Sequence, residues 1–135
     1  MAILDWDSRY LLSWQISNPL EVDFCWIALE DALRIGRSEI FNRDQGSQFT
    51  SREFTGRLER AGSSIRMDGR GRVLDNLFME RFWRTLKSED IYIKDSKDVP
   101  ELVTGVGTDL DCYNGERLHQ SLGNRTPGSV YCQAA

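Results

Sequence analysis

The sequence predicts an α/β fold in which short strands alternate with amphipathic helices. Short apolar segments, such as residues 1–5 and 10–16, are bounded by turn residues and are too short for stable helices. Longer segments repeat apolar residues at intervals of three and four, which is the spacing of one helix face. With 135 residues, the chain is long enough to form one domain with its own core.

The first third of the chain predicts a β-hairpin followed by a helix. Residues 1–5 and 10–16 predict two strands, and the turn residues between them favour a hairpin. We expect the helix to start at Asn18-Pro19 and to end at Gly36. Asparagine caps helix N-termini, proline suits the first turn and glycine commonly ends helices.

The central third predicts a strand, a helix and a second strand. Ile40–Phe41 is a short apolar segment that we expect to form a buried strand. Thr50 and Ser51 are predicted to cap a helix that ends at Gly62. Ser64–Met67 predicts a further short strand.

The last part of the chain predicts two helices and a tail. Residues 68–72 contain two glycines and two arginines and predict a flexible loop. The next helix is expected to open at Asp75 and to reach about Lys87, because apolar residues recur there every four positions. A second apolar series predicts a helix over residues 99–113, and residues 115–135 are expected to be extended and polar.

Composition and cysteine usage are those of an ordinary globular protein. Hydrophobic residues make up 40% and charged residues 28% of the chain, and no apolar run approaches the roughly 18 residues of a membrane span. We therefore expect a cytoplasmic protein with no membrane partner. The three cysteines lack a Cys-x-x-Cys pair, and two are expected in the core and one as a C-terminal thiol. They are Cys25, Cys112 and Cys132.

The net charge of −4 is unevenly distributed. Residues 43–87 contain ten basic and six acidic residues, whereas residues 1–42 and 88–135 each carry a charge of −4. Nine of the ten central cations are arginines, which suit bidentate contacts with phosphate. Two interpretations stay open, namely a polyanion-binding region and a solvated, arginine-rich surface.

Two acidic residues and a lysine form the strongest candidate site. Asp44 and Glu80 have thirty-five residues between them, and Lys87 follows seven positions after Glu80. Glu80, Arg84 and Lys87 stand at positions i, i+4 and i+7 of the predicted helix, so they share one face. A carboxylate at a strand end, a second on a helix and a nearby lysine suit metal-assisted phosphoryl transfer.

These residues resemble the integrase-core transposases of bacterial insertion sequences, the DDE group related to retroviral integrase. The resemblance implies a ribonuclease-H-like, three-layer fold. It also implies a partial catalytic core over residues 1–127 and a C-terminal tail over residues 128–135. The matching segments are residues 44–49, 67–76 and 76–87, together with a C-terminal signature over Tyr113-Asn114, Arg117, His119 to Gly123 and Thr126-Pro127.

The resemblance also implies roles for the site residues. Asp44 would be the second and Glu80 the third acidic ligand of divalent Mg²⁺ or Mn²⁺, which activates water or a DNA 3′-hydroxyl for attack on phosphorus. Lys87 would contact DNA near the scissile phosphate. The other residues expected to bind DNA are Arg43, Arg70, Arg72 and Arg84. The implied partners are insertion-sequence ends and target DNA in the bacterial nucleoid, and a second copy or a full-length transposase.

The chain also departs from this family. The family's first catalytic aspartate lies on a strand that has no counterpart after Met1, and Asp5 and Asp7 are weak candidates to replace it. We therefore expect a fold that lacks the first central strand, and no strand-transfer activity by this chain alone. The expected consequence is a sheet with a gap, a re-paired sheet, or a strand gained from another molecule.

Two alternatives to an inactive core fragment stay open. One is a non-catalytic fragment that binds DNA or inhibits an intact transposase by interacting with it. The other is a small ribonuclease-H-like nuclease that uses Asp5, Asp44 and Glu80.

Overall fold

The computed structural model describes residues 1–16, 23–43, 51–67, 73–88 and 98–134. The chain divides into two compact units, the first comprising Met1–Leu4 and Leu12–Gly71 and the second Asp5–Leu11 and Arg72–Ala135. The described elements are, in chain order, β1 (Ala2–Leu4), β2 (Leu11–Trp14), α1 (Asp23–Ile35), β3 (Ile40–Arg43), α2 (Arg52–Arg60), β4 (Ser64–Met67), α3 (Val73–Leu86), α4 (Val99–Gly115), a 3₁₀ helix (Gln120–Leu122) and α5 (Pro127–Ala134).

The predicted N-terminal hairpin is confirmed. Strands β1 and β2 pair, and hydrogen bonds between Met1 and Gln15 extend this pairing at the end away from the turn. The Met1 amino group donates to the Gln15 carbonyl at 2.8 Å, and the Gln15 N–H donates to the Met1 carbonyl at 2.9 Å. Such reciprocal bonds are those of an antiparallel pair.

Strands β3 and β4 form a parallel ladder. Its register runs from Ile40 opposite Ser64 to Arg43 opposite Met67. The expectation that Ile40 is buried is wrong, since its side chain is 42% exposed. The cause is the two-residue alternation of a strand, which turns Phe41 towards the core and its neighbours away from it.

In the described part of the chain, the strands form two separate two-stranded ladders, β1–β2 and β3–β4. The three outcomes expected from the sequence, namely a sheet with a gap, a re-paired sheet and a strand gained from another molecule, stay predictions. Both ladders nevertheless contribute to one apolar cluster, because β1 supplies Ile3, β3 supplies Phe41 and β4 supplies Ile65.

Helices α1 and α2 supply most of that cluster. The buried face of α1 has the i, i+3, i+4, i+7 spacing of an amphipathic helix. Its members are Cys25, Ala28, Leu29 and Ala32. Phe54 and Leu58 of α2 pack against this face and are almost fully buried. The expected helix start at Asn18-Pro19 lies outside the described residues, whereas the expected end at Gly36 is confirmed.

Both ends of α2 have the predicted caps. The Ser51 hydroxyl accepts a hydrogen bond from the Phe54 N–H at 3.2 Å. At the other end, Gly62 adopts a left-handed conformation with φ of 81° and donates its N–H to the Glu59 carbonyl at 3.0 Å. The Ser63 N–H donates to the Leu58 carbonyl, which completes a Schellman motif. Thr50 lies outside the described residues.

The helices of the second unit largely match the predictions. Helix α3 begins at Val73, two residues before the start expected at Asp75. Helix α4 covers the expected series and is capped by Asp98, whose carboxylate accepts from the Glu101 N–H at 2.9 Å. The loop at residues 68–72 lies outside the described residues.

The expectation of an extended C-terminal tail is wrong. Residues 120–122 form a 3₁₀ helix and Pro127–Ala134 form α5. Thr126 caps α5, because its hydroxyl accepts from the Ser129 N–H at 3.2 Å, and Pro127 occupies the first helical position. The division of the chain at residues 127 and 128 stays a prediction.

The cysteine prediction is correct for two residues and wrong for one. Cys25 is buried, Cys132 is exposed near the C-terminus, and Cys112 is exposed where a core position was expected. The buried face of α4 carries Val106 and Leu110, and Cys112 lies off that face. All three thiols are free.

Candidate active site

Helix α3 presents the predicted polar face. Glu80 and Arg84 of α3 and Lys87, which directly follows its last residue, are all exposed, as their shared spacing predicts. The orientation of the helix is fixed from its other side, where Phe82 and Leu86 are each 8% exposed. Within the second unit, the ring of Phe82 packs edge-on against Tyr113 of α4, with ring centroids 5.2 Å apart.

The Glu80 carboxylate is available to a ligand. Arg84 stands one turn away, at the spacing of a helical ion pair. Even so, neither side chain forms an ion pair or hydrogen bond with another residue in the described part of the chain. An exposed carboxylate is the type of donor that Mg²⁺ and Mn²⁺ prefer, so Glu80 fits the implied metal.

The second predicted ligand, Asp44, lies outside the described residues, as do Arg70 and Arg72. The structure describes the backbone that leads to Asp44, since β3 ends at Arg43, whose side chain is not described. Among the described residues, no three Asp, Glu, His or Cys side chains lie close enough to hold a metal ion. The structure therefore places Glu80, Arg84 and Lys87 and leaves the pairing of Asp44 with Glu80 as a prediction.

Asp5 has a local structural role. One of its carboxylate oxygens accepts hydrogen bonds from the Ser8 N–H at 3.0 Å and from the Ser8 hydroxyl at 2.6 Å. Ser8 is only 1% exposed, and its hydroxyl also accepts from the Tyr10 N–H at 3.1 Å. Asp5 therefore stabilises the hairpin turn, as aspartate commonly does in turns.

The C-terminal signature has structural contacts that the sequence analysis missed. The side-chain amide of Asn114 pairs with the backbone of Leu11, 103 positions earlier. Its Oδ1 accepts from the Leu11 N–H at 2.9 Å, and its Nδ2 donates to the Leu11 carbonyl at 3.0 Å. Beyond the signature, the ring of Tyr131 of α5 stacks on that of Tyr10, with centroids 4.6 Å apart. No local pattern in the sequence signals contacts at this separation.

His119 of the same signature is a packed, neutral histidine. Its ring lies edge-on to Tyr113 at a centroid distance of 5.1 Å, and its buried Nε2 has no hydrogen-bond partner in the described structure. Burial lowers the pKa of His119, and the positive charges of Arg9 and Arg117 lower it further. Burial raises the pKa of Tyr113, whereas the same two arginines oppose that rise.

Comparison with solved structures defines the fold class. The chain superimposes on the catalytic core domain of BIV integrase with a TM-score of 0.79, over 98% of this chain and 84% of that one. The sequences are 14% identical, so the likeness concerns the fold alone. It confirms the predicted α/β, ribonuclease-H-like fold of an integrase core.

Sequence comparison agrees with this class. Residues 61–127 match the family described as "Integrase core domain". The transposase of insertion sequence element IS629 from Shigella sonnei is 32% identical over 130 residues, which cover 95% of this chain and 44% of that protein. The putative transposase InsK of element IS150 from Escherichia coli is 33% identical over 128 residues, covering 93% and 45%.

The chain therefore carries a match to the integrase core domain over residues 61–127, and it is similar over more than nine tenths of its length to transposases of bacterial insertion sequences. It spans less than half the length of the curated relatives just named. No described helix is long and apolar enough to cross a membrane.

Proposed function

We propose that this chain contributes Asp44 and Glu80 to a DDE-type site for metal-dependent cleavage and transfer of DNA strands. The observation that carries the proposal is the exposed polar face of Glu80, Arg84 and Lys87, where the Glu80 carboxylate has no ion pair with another described residue and stands beside two cations. The chain's similarity to insertion-sequence transposases supports the same chemistry.

The residues divide into two roles. Glu80 and Asp44 hold the metal through carboxylate oxygens. When bound, Mg²⁺ or Mn²⁺ supplies charge neutralisation at phosphorus and a coordinated nucleophile. Lys87 and Arg84 bind DNA phosphates, Lys87 as a point charge and Arg84 through the planar fork of its guanidinium. Arg84 follows Glu80 by about one helical turn, and Lys87 follows Arg84 by about one more. A phosphate bound by Arg84 would therefore lie near the Glu80 carboxylate.

We further propose that Arg43, Arg70 and Arg72 bind DNA beside this site. They belong to the basic central third of the chain, which carries four more positive than negative charges. The proposed ligands are insertion-sequence ends and target DNA, and the setting is the bacterial nucleoid. A second copy of the chain or a full-length transposase is the proposed protein partner.

The DNA-binding role of α3 is tested by fluorescence anisotropy with a labelled DNA duplex over a range of salt concentrations. The variant is Lys87→Ala, and the matched control is Arg81→Ala. Arg81 is exposed on the same helix, but lies about 100° around its axis from Glu80. We expect Lys87→Ala to weaken binding and to lower the slope of log affinity against log salt by about 1, with little change for the control. Equal effects of both variants would contradict a specific role for this face.

The prediction that the chain alone does not cut DNA is tested by incubating it with supercoiled plasmid and Mn²⁺. No nicking above background is expected. Nicking that Asp44→Asn abolishes would instead show an active site complete in this chain. The alternative of a nuclease that uses Asp5 as a metal ligand is disfavoured, because Asp5 accepts two hydrogen bonds from Ser8.

A further inference from the structure

The parallel β3–β4 ladder has one covered and one exposed face. Phe41 and Ile65 are register partners, and both pack against the apolar core of the first unit. The alternate positions point the other way and are exposed. They form two register pairs, Ile40 with Ser64 and Asn42 with Arg66.

Among the described residues, no negative charge pairs with the positive charge on this exposed face. Apart from the backbone pairing of the ladder, neither Asn42 nor Arg66 forms a side-chain hydrogen bond or ion pair with another described residue. Other arginines of the same unit behave differently, because Arg57 pairs with Glu30 and Arg34 pairs with Asp31. The remaining residues on the exposed face of the ladder, Ile40 and Ser64, are uncharged, so Arg66 presents its positive charge to solvent.

The pair also stands at a particular end of the ladder. Parallel strands end at the same edge, and Asn42 and Arg66 are the penultimate residues of β3 and β4. Asp44 follows Asn42 by two residues, and two residues of extended chain span at most about 7 Å. The backbone of Asn42 therefore lies within that distance of the proposed metal ligand.

The two side chains suit one class of ligand. An arginine guanidinium binds two phosphate oxygens at once, and an asparagine amide donates one further hydrogen bond to the same kind of acceptor. Neighbouring strands lie about 4.8 Å apart, so both side chains can reach one phosphate group. Neither side chain carries a negative charge, so the pair cannot hold a metal cation as the acidic residues would.

We propose that Asn42 and Arg66 form a binding site for a DNA backbone phosphate at the carboxyl end of the β3–β4 ladder. This inference rests on the proposed function, and it adds two residues of the first unit to those proposed to bind DNA. Because a phosphate carries no sequence information, the pair contributes affinity and position, but no discrimination between DNA sequences.

The test uses the complete 135-residue chain and two labelled duplexes of unrelated sequence, with anisotropy measured over a range of salt concentrations. Arg66→Ala is compared with Arg60→Ala, an exposed arginine on α2 that carries the same charge and no ion pair among the described residues. We expect Arg66→Ala to weaken binding about three- to tenfold on both duplexes and to lower the salt slope by about 1. Arg60→Ala is expected to change neither the affinity nor the salt slope.

The partner residue gives an independent readout. Asn42→Ala is expected to weaken binding on both duplexes without changing the salt slope, since it removes a hydrogen bond but no charge. The double variant is expected to lose less than the sum of the two single losses, because the residues share one phosphate. Circular dichroism checks that each variant folds, and Arg66→Gln replaces Arg66→Ala if the alanine variant does not.

The outcomes separate this inference from the proposed function. If Lys87→Ala weakens binding while Arg66→Ala behaves like Arg60→Ala, the phosphate site on the ladder is wrong and the role of α3 stands. If Arg66→Ala affects only one duplex, the pair reads sequence and the inference is also wrong. If the wild-type chain binds neither duplex, both the inference and the proposed DNA-binding function fail.

Discussion

The first unit buries a continuous apolar cluster, whereas the hairpin tip of the second unit is held by hydrogen bonds and ring contacts. In the first unit, α1 and α2 bury side chains such as Leu29 and Leu58 completely. In the second, the Asn114 amide pairs with the backbone of Leu11 and Tyr131 stacks on Tyr10. Apolar burial tolerates several arrangements of similar volume, but a paired amide specifies one position.

This difference bears on the proposed site. Asp44 follows the last residue of β3, a strand of the apolar first unit, whereas Glu80 lies on α3 of the second. The two proposed metal ligands therefore belong to different units. Variants can be chosen that act on one unit at a time.

The largest effect is expected from the core of the first unit. Leu29→Ala should lower the free energy of unfolding by about 2–5 kcal/mol, because it removes a side chain that is 0% exposed and leaves a cavity. Ile27→Ala is the matched control on the same helix, where the side chain is 50% exposed. Urea unfolding measures both. Similar losses for the two variants would contradict the assigned core.

The next effect concerns the polar pairing in the second unit. Asn114→Leu should lower the free energy of unfolding by about 2–3 kcal/mol, because it leaves the N–H and carbonyl of Leu11 without the partner that Asn114 provides. Asn114→Asp should cost less, since the carboxylate still accepts from the Leu11 N–H. Hydrogen exchange at the Leu11 amide should rise in the leucine variant and be partly protected in the aspartate variant. Unchanged exchange in both would show that the pairing is unimportant.

Replacing two glycines of the second unit with alanine should change the free energy of unfolding in opposite directions. A Cβ added at Gly128 would lie 2.9 Å from the backbone carbonyl oxygen of Asn114, so Gly128→Ala should destabilise by about 1–3 kcal/mol. Gly105, inside α4, has open space around the same position, so Gly105→Ala should stabilise by about 0.5–1 kcal/mol. Thermal unfolding of the two variants measures this contrast, and a shift of the same sign in both would contradict the close packing at Gly128.

The smallest effect is a pH dependence from His119. Its pKa is lowered in the folded chain, chiefly by burial, so the unfolded chain binds a proton more readily. The contribution of neutral His119 to stability is therefore present above its ordinary pKa of 6.5 and is lost as the pH falls below it. Unfolding free energies between pH 7.5 and 5.5 should fall more steeply for the wild type than for His119→Gln. Parallel profiles would contradict this assignment.

Local chemistry made much of the fold predictable. Ser51 and Gly62 bound α2 as expected, because caps depend only on residues within one turn. The helix at the C-terminus was missed although Thr126 and Pro127 are a good cap and first-turn pair, since the polar composition beyond them favoured an extended tail. The pairing of Asn114 with Leu11 was not predictable, because it depends on how the chain returns after 103 residues.

The candidate site divides in the same way. The shared face of Glu80, Arg84 and Lys87 is predicted from helical spacing alone, and all three residues are exposed. The proximity of Asp44 to Glu80 depends instead on tertiary structure and stays a prediction. The role of Asn42 and Arg66 required the strand register, which the sequence does not reveal.

The most direct test of the shared metal site is calorimetric titration of the chain with Mn²⁺. The proteins compared are the wild type, Asp44→Asn, Glu80→Gln, the double variant, and Glu59→Gln as an exposed control on α2. If both carboxylates hold one site, each single variant should weaken binding nearly as much as the double variant, and the control should bind like the wild type. Additive losses, or single variants that bind Mn²⁺ as the wild type does, would contradict a site shared by Asp44 and Glu80.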